Sequence, residues 1–525
     1  MSTTAPHPRD SRALWALAGL GAGLAGLAVS YAAALALTVR QSPVVAVAEA
    51  VIRLTPGKLA EWAIQTLGHW DKPVLVTTIL GLLVVLFLVA GLLTRRAWLL
   101  GLAVFAGLSV LGLAAVLTRP GATAWDVLPL AAGFGTWLIA LNLLTEPLRR
   151  LREHATGSPS SPLEPGGPGF GEERRTFLLR AGVLGAVAIG SGVLGRFLGR
   201  GRRHVEQTRN LLRLDGVTRP RVPAEARIGL DGVSSWQTPA DEFYLIHTAI
   251  AIPTLDPDDW QLRIHGLVER EIVLTYQDLM DRQITEAWIT LNCVSNPVGG
   301  SLIGNAWWSG VRLADILALA APLEGADCVL QTSDDGWSCS TPLAALTDPG
   351  RDAMLALAMN GKALPLEHGF PVRTIVPGLY GYVSACKWVV EMEVTRFADV
   401  SAYWTERGWS EQGPVKLASR IDVPRSGTEV AAGQVEVGGV AWRQHVGVEA
   451  VEVALDGGAW QPARLAGVPT DDTWVQWAAT LEVSPGDHLL RVRAKEKGGD
   501  WQTSVQRDVV PDGATGLHEI DFTAT

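Results

Sequence analysis

Cysteine is scarce: the 525 residues hold four, Cys293, Cys328, Cys339 and Cys386. None stands in a Cys-x-x-Cys pair or at a paired Cys/His spacing, which excludes zinc fingers, thioredoxin-type sites and a secretory disulfide framework. Positive charge is deficient in the larger part of the chain. Residues 204–525 carry 25 Lys+Arg against 43 Asp+Glu, whereas residues 1–203 carry 19 against 10. An acidic second part excludes nucleic acid as a partner. Histidine is absent from the long apolar runs, since His69 and His154 both fall outside them, so a haem-carrying bundle is disfavoured. No cluster of ionisable residues interrupts those runs, which argues against transport.

What is abundant is apolar sequence, 48% of the chain. Uncharged runs at Ala13–Val39, Pro73–Thr94, Ala97–Thr118 and Val127–Thr145 each approach the roughly 20 residues needed to cross a bilayer, so residues 1–148 read as four transmembrane helices. Residues 149–203 read as a connecting region with three parts. Gly157–Gly171 is a Pro/Gly/Ser linker. Arg174-Arg175-Thr176-Phe177-Leu178-Leu179-Arg180 is similar to a twin-arginine export signature, placed internally, although paired arginines also mark ordinary cytoplasmic loops. Ala181–Gly195 is a shorter fifth apolar segment of signal type. Arg95-Arg96, Arg149, Arg150, Arg152, Arg174 and Arg175 then fall in cytoplasmic loops, and the rest of the chain lies on the extracytoplasmic side of the cell membrane. The cluster Arg196, Arg200, Arg202 and Arg203 runs against this rule. The spans serve as a bilayer anchor or as a docking surface for another membrane protein.

From about Asp215 the pattern changes to short strands, turns and short helices, an α+β domain over residues 215–423. In Trp288-Ile-Thr-Leu-Asn-Cys-Val-Ser-Asn-Pro-Val-Gly-Gly300 a β-branched run ends at Cys293 and a turn follows, presenting the thiol at a strand-to-loop junction. Thiolate suits a soft metal centre whose other ligands come from a cofactor. A lone cysteine, taken by itself, is more often a small buried apolar residue than a ligand.

The surrounding motifs weigh between these readings. Residues Glu242 to Trp409 resemble the molybdopterin-binding domain of the sulfite oxidase family. The resemblance is carried by Leu291-Asn-Cys-Val-Ser-Asn-Pro-Val-Gly-Gly-Ser-Leu-Ile-Gly-Asn-Ala-Trp-Trp-Ser-Gly-Val-Arg-Leu-Ala-Asp315 and by Met359-Asn-Gly-Lys-Ala-Leu-Pro-Leu-Glu-His-Gly-Phe-Pro-Val-Arg-Thr-Ile-Val-Pro-Gly378. It implies a molybdenum oxidoreductase whose molybdopterin-bound metal is ligated by Cys293. It further implies cofactor contacts at Tyr244 and Leu245, at Asp334, at the pair His368 and Arg373, and at the phosphate-binding segment Ala385, Cys386 and Lys387. Arg grips phosphate bidentately and Lys adds positive potential, which suits those residue types.

The chain departs from the family where sulfite would bind. Two substrate arginines become Ile246 and Val298, and the active-site tyrosine becomes Trp409, whose indole only donates. His247 and Arg407 are the nearby candidates for compensation. Charge-assisted bonds are worth a few kcal/mol each, so the expected small-molecule substrate is not sulfite. A methionine-sulfoxide-type reductase, or an inactive membrane scaffold or receptor retaining the fold, are the alternatives. Residues 424–525 alternate in short strands with regular turns, an all-β sandwich. They resemble the immunoglobulin-like dimerisation domain of the same family, which implies a homodimer. With no cytochrome b-type domain attached, electrons pass to a separate redox partner, a cytochrome or membrane electron carrier.

Overall fold

The structure, a computed structural model, describes residues 12–156 apart from 38, 40–41, 57–58, 60–61, 64–65, 68–69 and 119–122, residues 175–190 apart from 188, and residues 201–525. Arg174 of the arginine pair, the 157–171 linker, His69, Arg196 and Arg200 lie outside them. The chain divides into two units: Met1–His204 with Thr248–Ile252, and Val205–His247 with Pro253–Thr525.

The first unit is helical, with α1 Arg12–Ala36, α2 Pro43–Leu54, α3 Asp71–Thr94, α4 Trp98–Leu117 and α5 Leu128–Thr156. Four helical stretches are long and apolar enough to cross a membrane: α1, α3, α4 and Ala124–Arg150, with mean hydropathies between 1.7 and 2.8. They coincide with the four apolar runs of the sequence. Where α1 meets α3 the backbones touch. A Cβ added to Gly19 would lie 2.2 Å from Phe87 O, and one added to Gly91 would lie 2.1 Å from Trp15 O. Small residues permit such approach, which is how helices gain packing energy when lipid offers no hydrophobic drive. Phe87, Phe105 and Trp137 fill the space beside this contact, and Trp137 Nε1 donates to Gly23 O at 2.9 Å.

Helix α2 is an addition to the sequence reading. It opens on Ser42 and Pro43 and buries Glu49; its amphipathic twelve residues are too few to register as a span. Beyond the linker, residues 175–187 are helical, with Phe177 in the helical core and Arg180 paired to Glu146 at 2.8 Å.

The second unit begins its sheets with β1 Gln261–Gly266, β2 Ile272–Thr275, β3 Thr285–Asn292, β4 Ile303–Arg312, β5 Cys328–Ser333, β6 Ser338–Pro342, β7 Met354–Met359, β8 Lys362–Ala363, β9 Arg373–Ile375 and β10 Val389–Thr395. One sheet runs β2-β1-β10-β5-β6; the other runs β3-β4-β7-β8, with β9 also on β7. Every residue of β7 is buried, the continuous apolar run of a strand covered on both faces. The β3-β4-β7-β9 arrangement matters for function, because it sets the end of β3 and the start of β9 in one sheet.

Nine further strands follow: β11 Ala418–Val423, β12 Glu429–Val430, β13 Gly433–Trp442, β14 Val448–Leu455, β15 Gln461–Pro462, β16 Arg464–Leu465, β17 Val475–Val483, β18 Gly486–Glu496 and β19 His518–Ala524. They form the sheets β11-β13-β17-β16 and β12-β19-β18-β14-β15. Val437, Trp477 and Leu481 from the first sheet share one core with Val453, Val492 and Phe522 from the second. Pairing is antiparallel except for the short β12–β19 contact, which is parallel.

The glycine contact gives a direct test. Gly91→Leu forces α1 and α3 apart, an overpacking cost of about 1–3 kcal/mol or more, and lowers the melting temperature of the detergent-purified chain. Gly81→Leu, on the same helix but facing open space, leaves it unchanged.

Candidate functional site

Cys293 follows the last residue of β3 and is buried. Its amide donates to Leu302 O at 2.9 Å and its carbonyl accepts from Asn296 N at 3.1 Å, so the loop folds back on the strand end. Asn296 secures the turn by accepting from Leu302 N at 2.9 Å through Oδ1. Burial pushes the Cys293 thiol up, and hydrogen bonds from Ser295 partly offset this. The ligating species would be the thiolate, so a metal arriving here must displace the proton.

The first residue of β9 is Arg373, 4% exposed. Its Nη1 donates to His368 O at 3.0 Å and its Nη2 reaches Ala385 O at 3.5 Å, while Nε is buried without a partner. The guanidinium lies 5.2 Å from the ring centroid of Trp308 on β4. Among the described residues no carboxylate forms an ion pair with it. Burial pulls its pKa down to about 10, with Tyr244 and Cys386 opposing. A buried guanidinium without an acid is costly unless an anion completes it.

His368 stands five residues earlier, its Nε2 donating to Ala240 O at 2.8 Å. That contact puts the proton on Nε2. Burial, then Arg373 and Lys387, hold its pKa down to about 3, so the ring is neutral. Lys387 donates to Glu367 O at 3.0 Å and to His247 Nδ1 at 3.4 Å. Arg373, His368 and Lys387 thus gather on one site, with the backbone of Ala385 and Cys386 beside them. Thr374 N donates to Cys386 O at 2.9 Å, and Cys386 N to Thr374 Oγ1 at 2.8 Å. The Cys386 thiol meets Cys339 and donates to Lys387 O at 3.7 Å, while its main chain is locked to Thr374 beside Arg373. Asp334 N donates to Trp388 O at 2.8 Å, joining its turn to the residue after Lys387.

Tyr244 connects the two halves. Burial and Cys293 push its phenol up while Arg373 pulls it down, and its ring stacks on Phe243 at 5.3 Å. Phe243 meets Trp308 at 5.9 Å and His368 at 5.7 Å, both edge-on. Leu245 and Ile246, next in the chain, are 46% and 41% exposed. Trp409 sits elsewhere in the cluster, packed against Tyr382 and Trp404, with Tyr382 on the short helix Gly381–Ser384 that leads to Ala385. Of the compensating candidates, His247 engages Lys387, whereas Arg407 stacks 3.7 Å over Tyr403 and donates to its carbonyl. The role of Trp308 beneath Arg373 escaped the sequence reading, although Trp307-Trp308 lies within the first motif. Thr374, which locks Cys386, gave no signal beyond its place beside Arg373.

The donor set fits a phosphate-bearing pterin: a cationic cluster with an unpartnered buried Nε for the anion, and a thiol across Tyr244 for a metal. The depressed His368 has a pH consequence. Below its ordinary value of 6.5 the unfolded chain takes up a proton that the folded ring refuses. Its contribution to stability is therefore complete above pH 6.5 and lost as pH falls toward about 3. His368→Gln, which keeps a donor toward Ala240 O, flattens this acid limb in melting curves of the cofactor-free protein.

Residues 249–404 match the family described as the oxidoreductase molybdopterin binding domain. Human mitochondrial sulfite oxidase is 30% identical over 309 residues, covering 50% of this chain and 56% of its own length. The chain thus spans about half the length of the curated relatives it matches first. The uncharacterized oxidoreductase YuiH of Bacillus subtilis is 31% identical over 177 residues, 34% of this chain and 85% of the relative. Among solved structures, the sulfane dehydrogenase SoxCD of Paracoccus pantotrophus aligns with a TM-score of 0.48 and 24% identity, over 55% of this chain and 81% of that one. On the family match and these sequence relatives, the chain belongs to the sulfite oxidase family of molybdenum oxidoreductases, whose cofactor is molybdenum bound to molybdopterin.

Proposed function

We propose that the protein catalyses oxygen-atom transfer at a molybdenum centre ligated by Cys293, acting on a small molecule other than sulfite. The observation that carries the cofactor half of this reading is Arg373, a buried guanidinium with no carboxylate ion pair among the described residues. The substrate half rests on Ile246 and Val298, where apolar side chains occupy the family's arginine positions. When bound, the molybdenum cofactor supplies the two-electron redox chemistry and the oxygen exchange. Arg373 and Lys387 would hold the phosphate by charge, and the main chain at Ala385 and Cys386 would complete its cradle. His368, neutral, orients the arginine through its carbonyl. Tyr244 interacts with both Cys293 and Arg373, and Cys293 would hold the metal at the end of β3.

Reversed flow, as in a methionine-sulfoxide-type reductase, is the second reading. It is favoured by Leu245 and Ile246, which expose apolar surface beside the cofactor-facing Tyr244. A scaffold that has lost activity would rest on Trp409 and Val298 alone. Around this centre the reading is of four spans anchoring an extracytoplasmic catalytic domain at residues 215–423, exported folded through the arginine-pair signal. Residues 424–525 form an immunoglobulin-like domain that pairs two chains, and a cytochrome or membrane carrier exchanges the electrons.

Two substitutions test the centre. Cys293→Ser leaves the fold largely intact while abolishing turnover with an artificial electron carrier; full activity in this variant removes Cys293 as the ligand. Arg373→Met keeps the volume and removes the buried charge, so molybdenum and pterin content falls by about tenfold or more while the cofactor-free protein melts no lower. Metal analysis of the unaltered chain is expected to find molybdenum near one per protein. Rapid sulfite oxidation by that chain would overturn the argument from Ile246 and Val298.

A further inference from the structure

The loop that follows Cys293 is fastened from the sandwich. Arg420 on β11, 8% exposed, donates to Gly300 O at 2.8 Å, to Asp422 Oδ1 at 2.7 Å and to Ser234 Oγ at 2.8 Å. Beside it stands His518, the first residue of β19. The ring of His518 lies against Gly299, where an added Cβ would come within 2.2 Å of both Nε2 and Cδ2. Only glycine fits there, and its φ of +75° also favours glycine.

The ring is held in one orientation. Ile421 N donates to His518 Nδ1 at 2.9 Å, which makes Nδ1 the acceptor and puts the ring proton on Nε2. Burial and then Arg420 hold its pKa below the ordinary value, so the ring is neutral at neutral pH. Among the described residues Nε2–H has no hydrogen-bond partner, and the ring is only partly buried. This donor therefore stands beside Gly299 with its capacity unused. The preceding residue is Val298, which the family resemblance aligns with a substrate arginine. A cation missing from one strand end is thus matched by a neutral donor delivered from a strand of the sandwich.

We infer that His518 is a specificity-determining residue whose Nε2–H donates to the oxygen of an uncharged substrate of sulfoxide type bound beside Val298. This rests on the reading that the substrate is not sulfite. A neutral imidazole costs less to desolvate than a guanidinium, and one N–H suits a single polar S=O oxygen. Val298 and Ile246 offer apolar surface to the substituents on sulfur, and the guanidinium of Arg420 on this side is already engaged by Asp422, Ser234 Oγ and Gly300 O.

Two variants of the full cofactor-loaded chain separate donor from support. His518→Asn places an amide oxygen near the Nδ1 position, retaining the bond from Ile421 N, and carries no donor as far as Gly299. His518→Gln reaches the Nε2 position with an amide N–H. Binding is measured by calorimetry with methionine sulfoxide and with sulfite, alongside melting temperature. The Asn variant is expected to bind methionine sulfoxide about tenfold more weakly at unchanged melting temperature, the loss of one neutral hydrogen bond, and the Gln variant within about threefold of the unaltered chain. Equal affinities in all three proteins, or a parallel loss in both variants with lowered melting, overturn the assignment. If the unaltered chain binds sulfite in preference and Asn weakens that, His518 stands as the donor and the uncharged-substrate reading falls. Binding of neither compound overturns both.

Discussion

A guanidinium buried without an acid is the constraint around which the catalytic unit is arranged. Arg373 is held by two backbone carbonyls, backed by the face of Trp308 and flanked by two more basic side chains. Neighbouring carbonyls relieve part of the desolvation cost but cannot neutralise the charge. The surroundings are consistent with it: burial, aided by Arg373 and Lys387, keeps His368 neutral, and Arg373 draws Tyr244 toward ionisation against the larger effect of its burial. The site is thus built to receive negative charge, and the affinity for an anion is prepaid by the fold.

The same sheet that fixes Arg373 fixes Cys293. β3 and β9 both belong to the sheet centred on β7, whose residues are all buried, so anion end and thiol end cannot drift relative to one another without disturbing a packed core. What lies between sheet and solvent is loop: the exposed pair Leu245 and Ile246, and the turn after Cys293, which Asn296 and Arg420 brace by hydrogen bonds. Substrate choice can change in such loops while the cofactor grip stays constant, which is the physical reason a family can keep its metal site and vary its reaction.

Much of the architecture was legible because it rests on local pattern. The apolar runs coincide with α1, α3, α4 and α5, and the alternation read in residues 424–525 reappears in strands such as β13, β14, β17 and β18. Helix α2 was not legible, being short and amphipathic, and neither was the Gly19–Gly91 contact, which depends on which helices become neighbours. At the site, Cys293, His368 and Arg373 were readable through their motifs. Trp308 was visible as a residue but not as the surface under Arg373, and Cys386 as a position but not as a main-chain contributor. His518 belongs to no motif, since its meaning comes entirely from Gly299, far away in sequence.

That last separation has a consequence for the thiol. The loop carrying Cys293 is fixed at Gly300 by Arg420 and at Gly299 by His518, and both residues lie far along the chain from it. The geometry of that loop therefore depends on the sheets of the sandwich as well as on its own, so a substitution in β11 or β19 can reach the surroundings of the thiol.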